Sequence, residues 1–407
     1  MLRRRDLLVA GSLAPLAAFQ GRRKTIAVIT TEYRRDSHAD VIAGRLLEGY
    51  EYYGQRRQPR VKVVSMYTDQ VPANDTSRAL AAKYRFPILS TVSDALTLGT
   101  GKLAVDGVVL IGEHGNYADN EKGQKLYPRY ELFRQVADVF RASGRAVPVF
   151  TDKHLSVDWE KARWMYDQSR ELKFPLMAGS SLPVSWRKPP LELDGEAPVE
   201  RAVCCFYGGK ESYGFHALEA LQCLIERRKG GETGVAAVHC LEGEAVWRWT
   251  DDNGWAGRLL DEALGHSETR REGPARGNVK QPILFLLEYR SGLPAAVYLL
   301  NGHVEDCTLA MDIRGREQPV STLVWLQPRR PYSHFSSLVH YIEELIERGR
   351  EPYPVERTLL TTGALAALMD SSFQGNARLE TRHLNIAYRA PKESFFNQGP
   401  VPAEEKS

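Results

Sequence analysis

Asp152, Lys153 and His154 stand in a row at the end of an apolar run that begins at Val149. Open α/β sheets bind ligands outside the carboxyl ends of their strands, so a carboxylate, an amine and an imidazole there are equipped for chemistry. A solvated turn with an ordinary lysine is the bland reading of the same trio. Glu113 and His114 follow another apolar run, 105–111. Brought close to His154, they would suit a metal ion or a sugar; their spacing does not say whether they meet. Further along, His216, Glu219 and Cys223 share one helical stripe.

The elements that must position these residues are legible as periodic runs. A strand at 149, a helix over 159–169 and a strand over 174–179 make a βαβ unit, which implies a parallel sheet. Ser156 can cap that helix, whose Trp159, Ala162, Tyr166 and Ser169 fall on one face. Upstream, strands are expected over 24–29, 61–66 and 105–111. Helices are expected over 37–53, 77–84, 92–98 and 130–143 between them. Alternation of this kind gives α/β architecture, a Rossmann-like doubly wound parallel sheet over 24–187.

Beyond Arg187 the pattern changes. A proline-containing connection over 188–198 leads to strand-like runs at 202–207, 234–241, 245–249, 283–289, 295–300, 305–311 and 321–326. A helix over 220–228 follows the first of these runs and no long helix intervenes among the others, so 188–390 reads as an α+β domain with an open, mostly antiparallel sheet. That sheet is also a surface on which the chain would form a homo-oligomer. Helices over 335–348 and 361–371, a strand over 384–388 and a polar tail over 391–407 complete the chain.

The 407 residues suffice for two domains with cores of their own. A formal charge of +3 with no basic block beyond the N-terminus argues against nucleic acid as a partner. Five cysteines, two of them adjacent and none in C-x-x-C spacing, argue against a disulfide framework or zinc site. Residues 1–20 read as a targeting segment. Arg3, Arg4 and Arg5 precede an apolar run too short to span a bilayer, and Arg4-Arg5-Asp6-Leu7-Leu8 looks like a twin-arginine export signal. That address implies a periplasmic or secreted protein with no stable membrane anchor after processing.

The stretch from Val149 to Arg187 resembles the Glu-Lys-Pro segment of the glucose–fructose oxidoreductase and inositol dehydrogenase family (Gfo/Idh/MocA). Lys153 matches its catalytic lysine, while Asp152 and His154 depart from the pattern. Ser212-Tyr-Gly-Phe-His-Ala-Leu-Glu resembles the family's Asp-x-Gly-x-His-x-x-Asp segment, with Ser212 in the place of the first acid. The resemblance implies an NAD(P)-dependent oxidoreductase that transfers hydride at a carbohydrate or cyclitol carbinol. His216 would then be the general base, Glu219 the acid that orients it, and Lys153 the stabiliser of the oxygen. His114, Asp152, His154, Arg187 and Tyr213 would be substrate contacts. The candidate NAD or NADP set is Thr30, Thr31, Arg34, Arg35, Asp69 and Glu113, with Asp69 placed as a ribose-binding acid. The turn after the first strand, however, lacks the G-x-G-x-x-G of a dinucleotide fold. Two other readings stay open: an NAD-assisted glycosidase or lyase, and a carbohydrate-binding relative that has lost its nucleotide.

Overall fold

The computed structural model describes residues 22–404, so the segment read as an export signal lies outside the described residues. Five parallel strands form the first sheet: β1 (Thr25–Thr30), β2 (Lys62–Thr68), β3 (Gly107–Ile111), β4 (Val149–Asp152) and β5 (Leu176–Gly179). Their order across the sheet is β2-β1-β3-β4-β5. β3, β4 and β5 are buried along their whole length, the pattern of strands covered on both faces.

Helix α1 (His38–Glu48) covers one face, with Val41, Ile42 and Leu46 in one apolar cluster with Ile26 and Val28 of β1. α2 (Arg129–Ser143) and α3 (Trp159–Glu171) cover the other, where Phe133, Phe140 and Met165 pack with Ala27 and Ile29. α1 ends sooner than its apolar pattern predicts. Gly49 turns to φ 82°, where a Cβ would lie 2.4 Å from the Arg57 carbonyl oxygen, and Tyr50–Tyr52 pairs with Gln55–Arg57 as a hairpin.

The second sheet has eight strands: β6 (Trp186–Lys188), β7 (Val199–Phe206), β8 (Val235–Glu242), β9 (Ile283–Tyr289), β10 (Pro294–Leu299), β11 (Cys307–Ile313), β12 (Val320–Trp325) and β13 (Leu379–Glu380). They run in the order β13-β8-β9-β10-β7-β11-β12-β6, antiparallel apart from the β7–β10 pair. α4 (Ser212–Ile225) lies on the face toward the first sheet, where Phe215, Leu218 and Leu221 join Cys204 and Val297.

The run 245–249, expected as a strand, is instead the helix α5 (Glu244–Asp252), followed by α6 (Gly254–Leu264). Val246, Leu259, Leu260 and Ala263 from this pair pack on Val203, Cys205, Ala296 and Tyr298 of the sheet. The chain's own helices therefore cover these residues of the outer face. The strand expected over 384–388 is a 3₁₀ turn at Arg382–Leu384 and a single bridge from Tyr388 to Glu232.

α7 (His334–Arg348) returns to the first sheet, where Leu338, Val339, Ile342 and Ile346 join the cluster of Ile26 and Val28. α8 (Glu356–Phe373) packs with α4, and both helices adjoin the carboxyl end of β5.

Candidate functional site

The turns after β1, β3 and β4 meet the first residues of α4 and α7 above the carboxyl edge of the parallel sheet. At the bottom is a buried charged triad. Lys153 Nζ lies 3.1 Å from Glu113 Oε1, and Arg129 Nη2 lies 2.7 Å from Glu113 Oε2. Burial opposes ionisation of Glu113, but Lys153 and Arg129 hold its carboxyl well below the usual carboxylate range. The residues beside Lys153 reach in different directions. Asp152 Oδ2 is 2.5 Å from His38 Nδ1 on the first turn of α1. His154 Nε2 is 2.5 Å from Glu211 Oε1, the residue preceding α4. A carboxylate only accepts, so in each couple the bonded nitrogen carries the proton and the other is left for chemistry.

His216 completes the site from α4. Burial, with Lys153 and His38 next in effect, pushes its imidazole well below its ordinary value, so Lys153 and His216 come within electrostatic reach of each other. Glu113 and His334 act on it as well. His216 Nδ1, His154 Nδ1, His114 Nε2 and His334 Nδ1 are buried atoms without a hydrogen-bond partner. Burial also lowers His114 to about 4 and His334 to about 3, in both cases with a positive neighbour assisting. His154 is lowered too, since burial and Arg129 outweigh Glu211. These imidazoles are neutral at pH 7. The rim holds His38, whose ring meets that of His114 at 5.1 Å, and Tyr213, whose ring is 6.0 Å from that of His216. Among the described residues no group of three or more His, Cys, Asp or Glu side chains is arranged to hold a metal ion.

Some expected members lie elsewhere. Glu219 does not orient His216. It is buried between elements, where Oε2 accepts from the Ser180 amide at 2.6 Å and Oε1 from Thr358 Oγ1 at 2.6 Å. Gly179 makes room for it, since a Cβ there would sit 2.5 Å from Glu219 Oε1. Arg187 is buried beneath the second sheet, bonded to the Leu191 carbonyl, Ser394 Oγ and Cys223 Sγ and stacked on Phe396. β6 pairs with β12, which carries Arg187 away from the edge. His38, Arg129, Glu211 and His334 were not singled out from sequence. His38 had a signal, an imidazole just after Ser37 in the turn where glycines would lie. Glu211 had one also, an acid one position before the expected place at Ser212.

A dinucleotide requires free backbone amides at the β1–α1 turn, and here the chain's own groups use them. The amides of Arg34 and Asp40 reach Ser37 Oγ at 3.3 Å each, Asp36 N reaches Asp40 Oδ2 at 2.9 Å, and Thr31 N reaches the Ile111 carbonyl at 3.2 Å. Thr30 Oγ1 bonds the Glu32 carbonyl, and Thr31 Oγ1 the Glu113 carbonyl. The Arg34 guanidinium is held 2.6 Å from Glu32, and Arg35 is exposed beside Asp36. Asp36 and Asp40 place carboxylates where phosphates would come. Asp69 stands at the end of β2 as expected, but its carboxylate accepts from Tyr67 at 2.8 Å and from Tyr117 at 2.6 Å. The expected set Thr30, Thr31, Arg34, Arg35, Asp69 and Glu113 therefore does not fit a dinucleotide held in the glycine-loop manner.

Neither a family model nor a curated sequence matches the chain. Its fold, by contrast, matches solved structures over most of its length. GenD2 from gentamicin A biosynthesis, solved in complex with NAD, is 16% identical with a TM-score of 0.56 over 91% of this chain and 100% of that one. The fold is that of a Gfo/Idh/MocA-type oxidoreductase. An oxidoreductase from Agrobacterium radiobacter, in complex with NAD+, L-tartaric acid and magnesium, is 12% identical with a TM-score of 0.54 over 88% and 98% of the two chains. The myo-inositol 2-dehydrogenase of Lactobacillus plantarum is 11% identical with a TM-score of 0.53 over 89% and 100%. At these identities the likeness establishes the fold.

Proposed function

We propose that the chain is a carbohydrate- or cyclitol-acting enzyme whose site handles a proton on a hydroxyl-bearing substrate. Two observations carry this reading: Lys153 is fixed by Glu113, and His216, within electrostatic reach of Lys153, leaves its Nδ1 buried and unpartnered. Neutral His216 would accept the proton, and the Lys153 ammonium would steady the negative charge left on oxygen. His114 and His154 present further nitrogens to the hydroxyls of a polyhydroxylated ligand, and Tyr213 an exposed ring at the rim. Two solved structures of this fold are named for inositols, which are of this class. The reading includes export of the protein under the Arg4-Arg5 signal.

A second reading, NAD(P)-dependent oxidation at the same hydroxyl, is favoured by the position of Asp69 and by the fold's NAD complexes. Calorimetry with NAD and NADP decides between them, and absence of binding is the expected result. The test of the site is turnover of a sugar or cyclitol found by screening. A positioned general base is worth roughly 100- to 10,000-fold, so His216→Ala should lose that much with substrate binding little changed. Lys153→Met should lose a similar factor. Full activity of a folded His216→Ala protein would sink the proposal.

A further inference from the structure

Tyr213 stands in the first turn of α4 and is 36% exposed, a large ring left at the surface beside the site. Its neighbours fix it all the same. Its ring centre lies 4.9 Å from that of Tyr207 and 5.6 Å from that of Phe206, and those two rings meet each other at 4.9 Å. Gly208 lets the ring come this near: it turns to φ 90°, and a Cβ there would sit 2.1 Å from Tyr213 Cγ. The Gly208 peptide is in turn clasped by Asn301, whose Oδ1 accepts from its amide at 2.7 Å and whose Nδ2 donates to its carbonyl at 3.0 Å. Exposed side chains ordinarily exchange rotamers freely. A turn, a clasp and two rings restrict this one, so the ordering that a ligand contact requires is in place beforehand. His216 shares the surface. It is half-buried, its ring centre is 6.0 Å from that of Tyr213 with 71° between the planes, and its Nδ1 has no partner.

We propose that Tyr213, backed by Tyr207 and Phe206, is a stacking shelf for the C–H face of a closed sugar ring, a pyranose or a cyclitol. The inference rests on the reading of this site as one for a hydroxyl-bearing substrate and narrows that class to rings. The face of an aromatic ring is its negative part, and the axial C–H bonds of a pyranose or cyclitol present a weakly positive, apolar surface to it. A ring lying flat on Tyr213 carries its equatorial hydroxyls at its edge, where His216 stands. An open-chain polyol has the same hydroxyls but no preformed apolar face, and it must give up chain rotamers to make one.

The test uses the full chain and a matched pair of probes, scyllo-inositol and sorbitol, which have equal numbers of carbons and hydroxyls, together with methyl β-D-glucopyranoside. Calorimetry gives the affinities, and saturation-transfer NMR shows which probe protons touch the protein. The expected result is that the ring probes bind more tightly than sorbitol, with saturation strongest at the axial protons of one face of the glucoside. Tyr213→Ala should weaken the ring probes about 10-fold, even out that pattern and leave sorbitol unchanged, whereas Tyr213→Phe should keep both affinity and pattern. Should Tyr213→Ala not fold, Tyr213→Leu covers Gly208 without an aromatic face and should weaken the ring probes in the same way. Unchanged affinity for the ring probes in a folded Tyr213→Ala or Tyr213→Leu protein would overturn the shelf. So would sorbitol binding as tightly as the rings, and either outcome leaves the hydroxyl-bearing substrate class standing. Binding of none of the three probes would overturn both.

Discussion

The triad of Lys153, Glu113 and Arg129 sets the character of everything around it. Two cations share one buried carboxylate, and His114, His154 and His216 are shifted toward their neutral forms, by burial first and by positive neighbours second. A neutral imidazole accepts and an ammonium donates, the two polarities that a substrate hydroxyl can use. Glu113 is therefore the residue whose loss should be felt most in stability. Glu113→Gln keeps the shape but leaves Lys153 and Arg129 without their counter-charge in the interior. Breaking a buried pair in this way costs about 3–5 kcal/mol. Chemical denaturation should show a loss of that size, and a change below about 1 kcal/mol would mean that the charges are not coupled as the distances indicate.

Glu219 joins three elements, since its carboxylate ties α4 to the amide after β5 and to Thr358 of α8. Burial raises its carboxyl to about 7, against weaker lowering by Thr358 and Ser180. A carboxyl whose folded value is raised favours the protonated fold. Its contribution is fully present below the unfolded value near 4.5 and is lost as pH rises to about 7. At one pH unit per 1.36 kcal/mol, the decline attributable to Glu219 is of order 3 kcal/mol. Glu219→Gln should flatten denaturation free energies between about pH 4.5 and 7, and an unchanged slope would refute the assignment. This residue also shows where sequence reasoning reaches its limit. The strands ending at Ile111, Asp152 and Gly179 were legible because doubly covered parallel strands are continuous apolar runs. The partner of His216 was not, because Glu219 shares its helical stripe while its carboxylate bonds toward β5 and α8. α5 was misread because Ala245, Val246, Trp247 and Trp249 suit a short apolar strand as well as a helix, and periodicity does not separate the two at that length.

The apolar cluster on one face of the first sheet is completed only by α7, which follows seven of the second sheet's eight strands in the chain. The site likewise takes residues from 38 to 334, so it exists only once nearly the whole chain has folded together. All five cysteines are free and buried in cores that use them as small apolar groups. The proposed export under the Arg4-Arg5 pair would be by a route that carries folded protein. Among the described residues no helix is long and apolar enough to cross a membrane. If the pair is read by the export receptor as two arginines, Arg4→Lys with Arg5→Lys keeps the charge and removes the recognition. Cell fractionation should then find the precursor, at its unprocessed length, in the cytoplasm. The retained protein should melt at the same temperature as the cytoplasmic wild-type precursor, because both substitutions keep the charge. Processed protein outside the cytoplasm at normal yield would overturn the twin-arginine assignment and leave the fold and the site untouched.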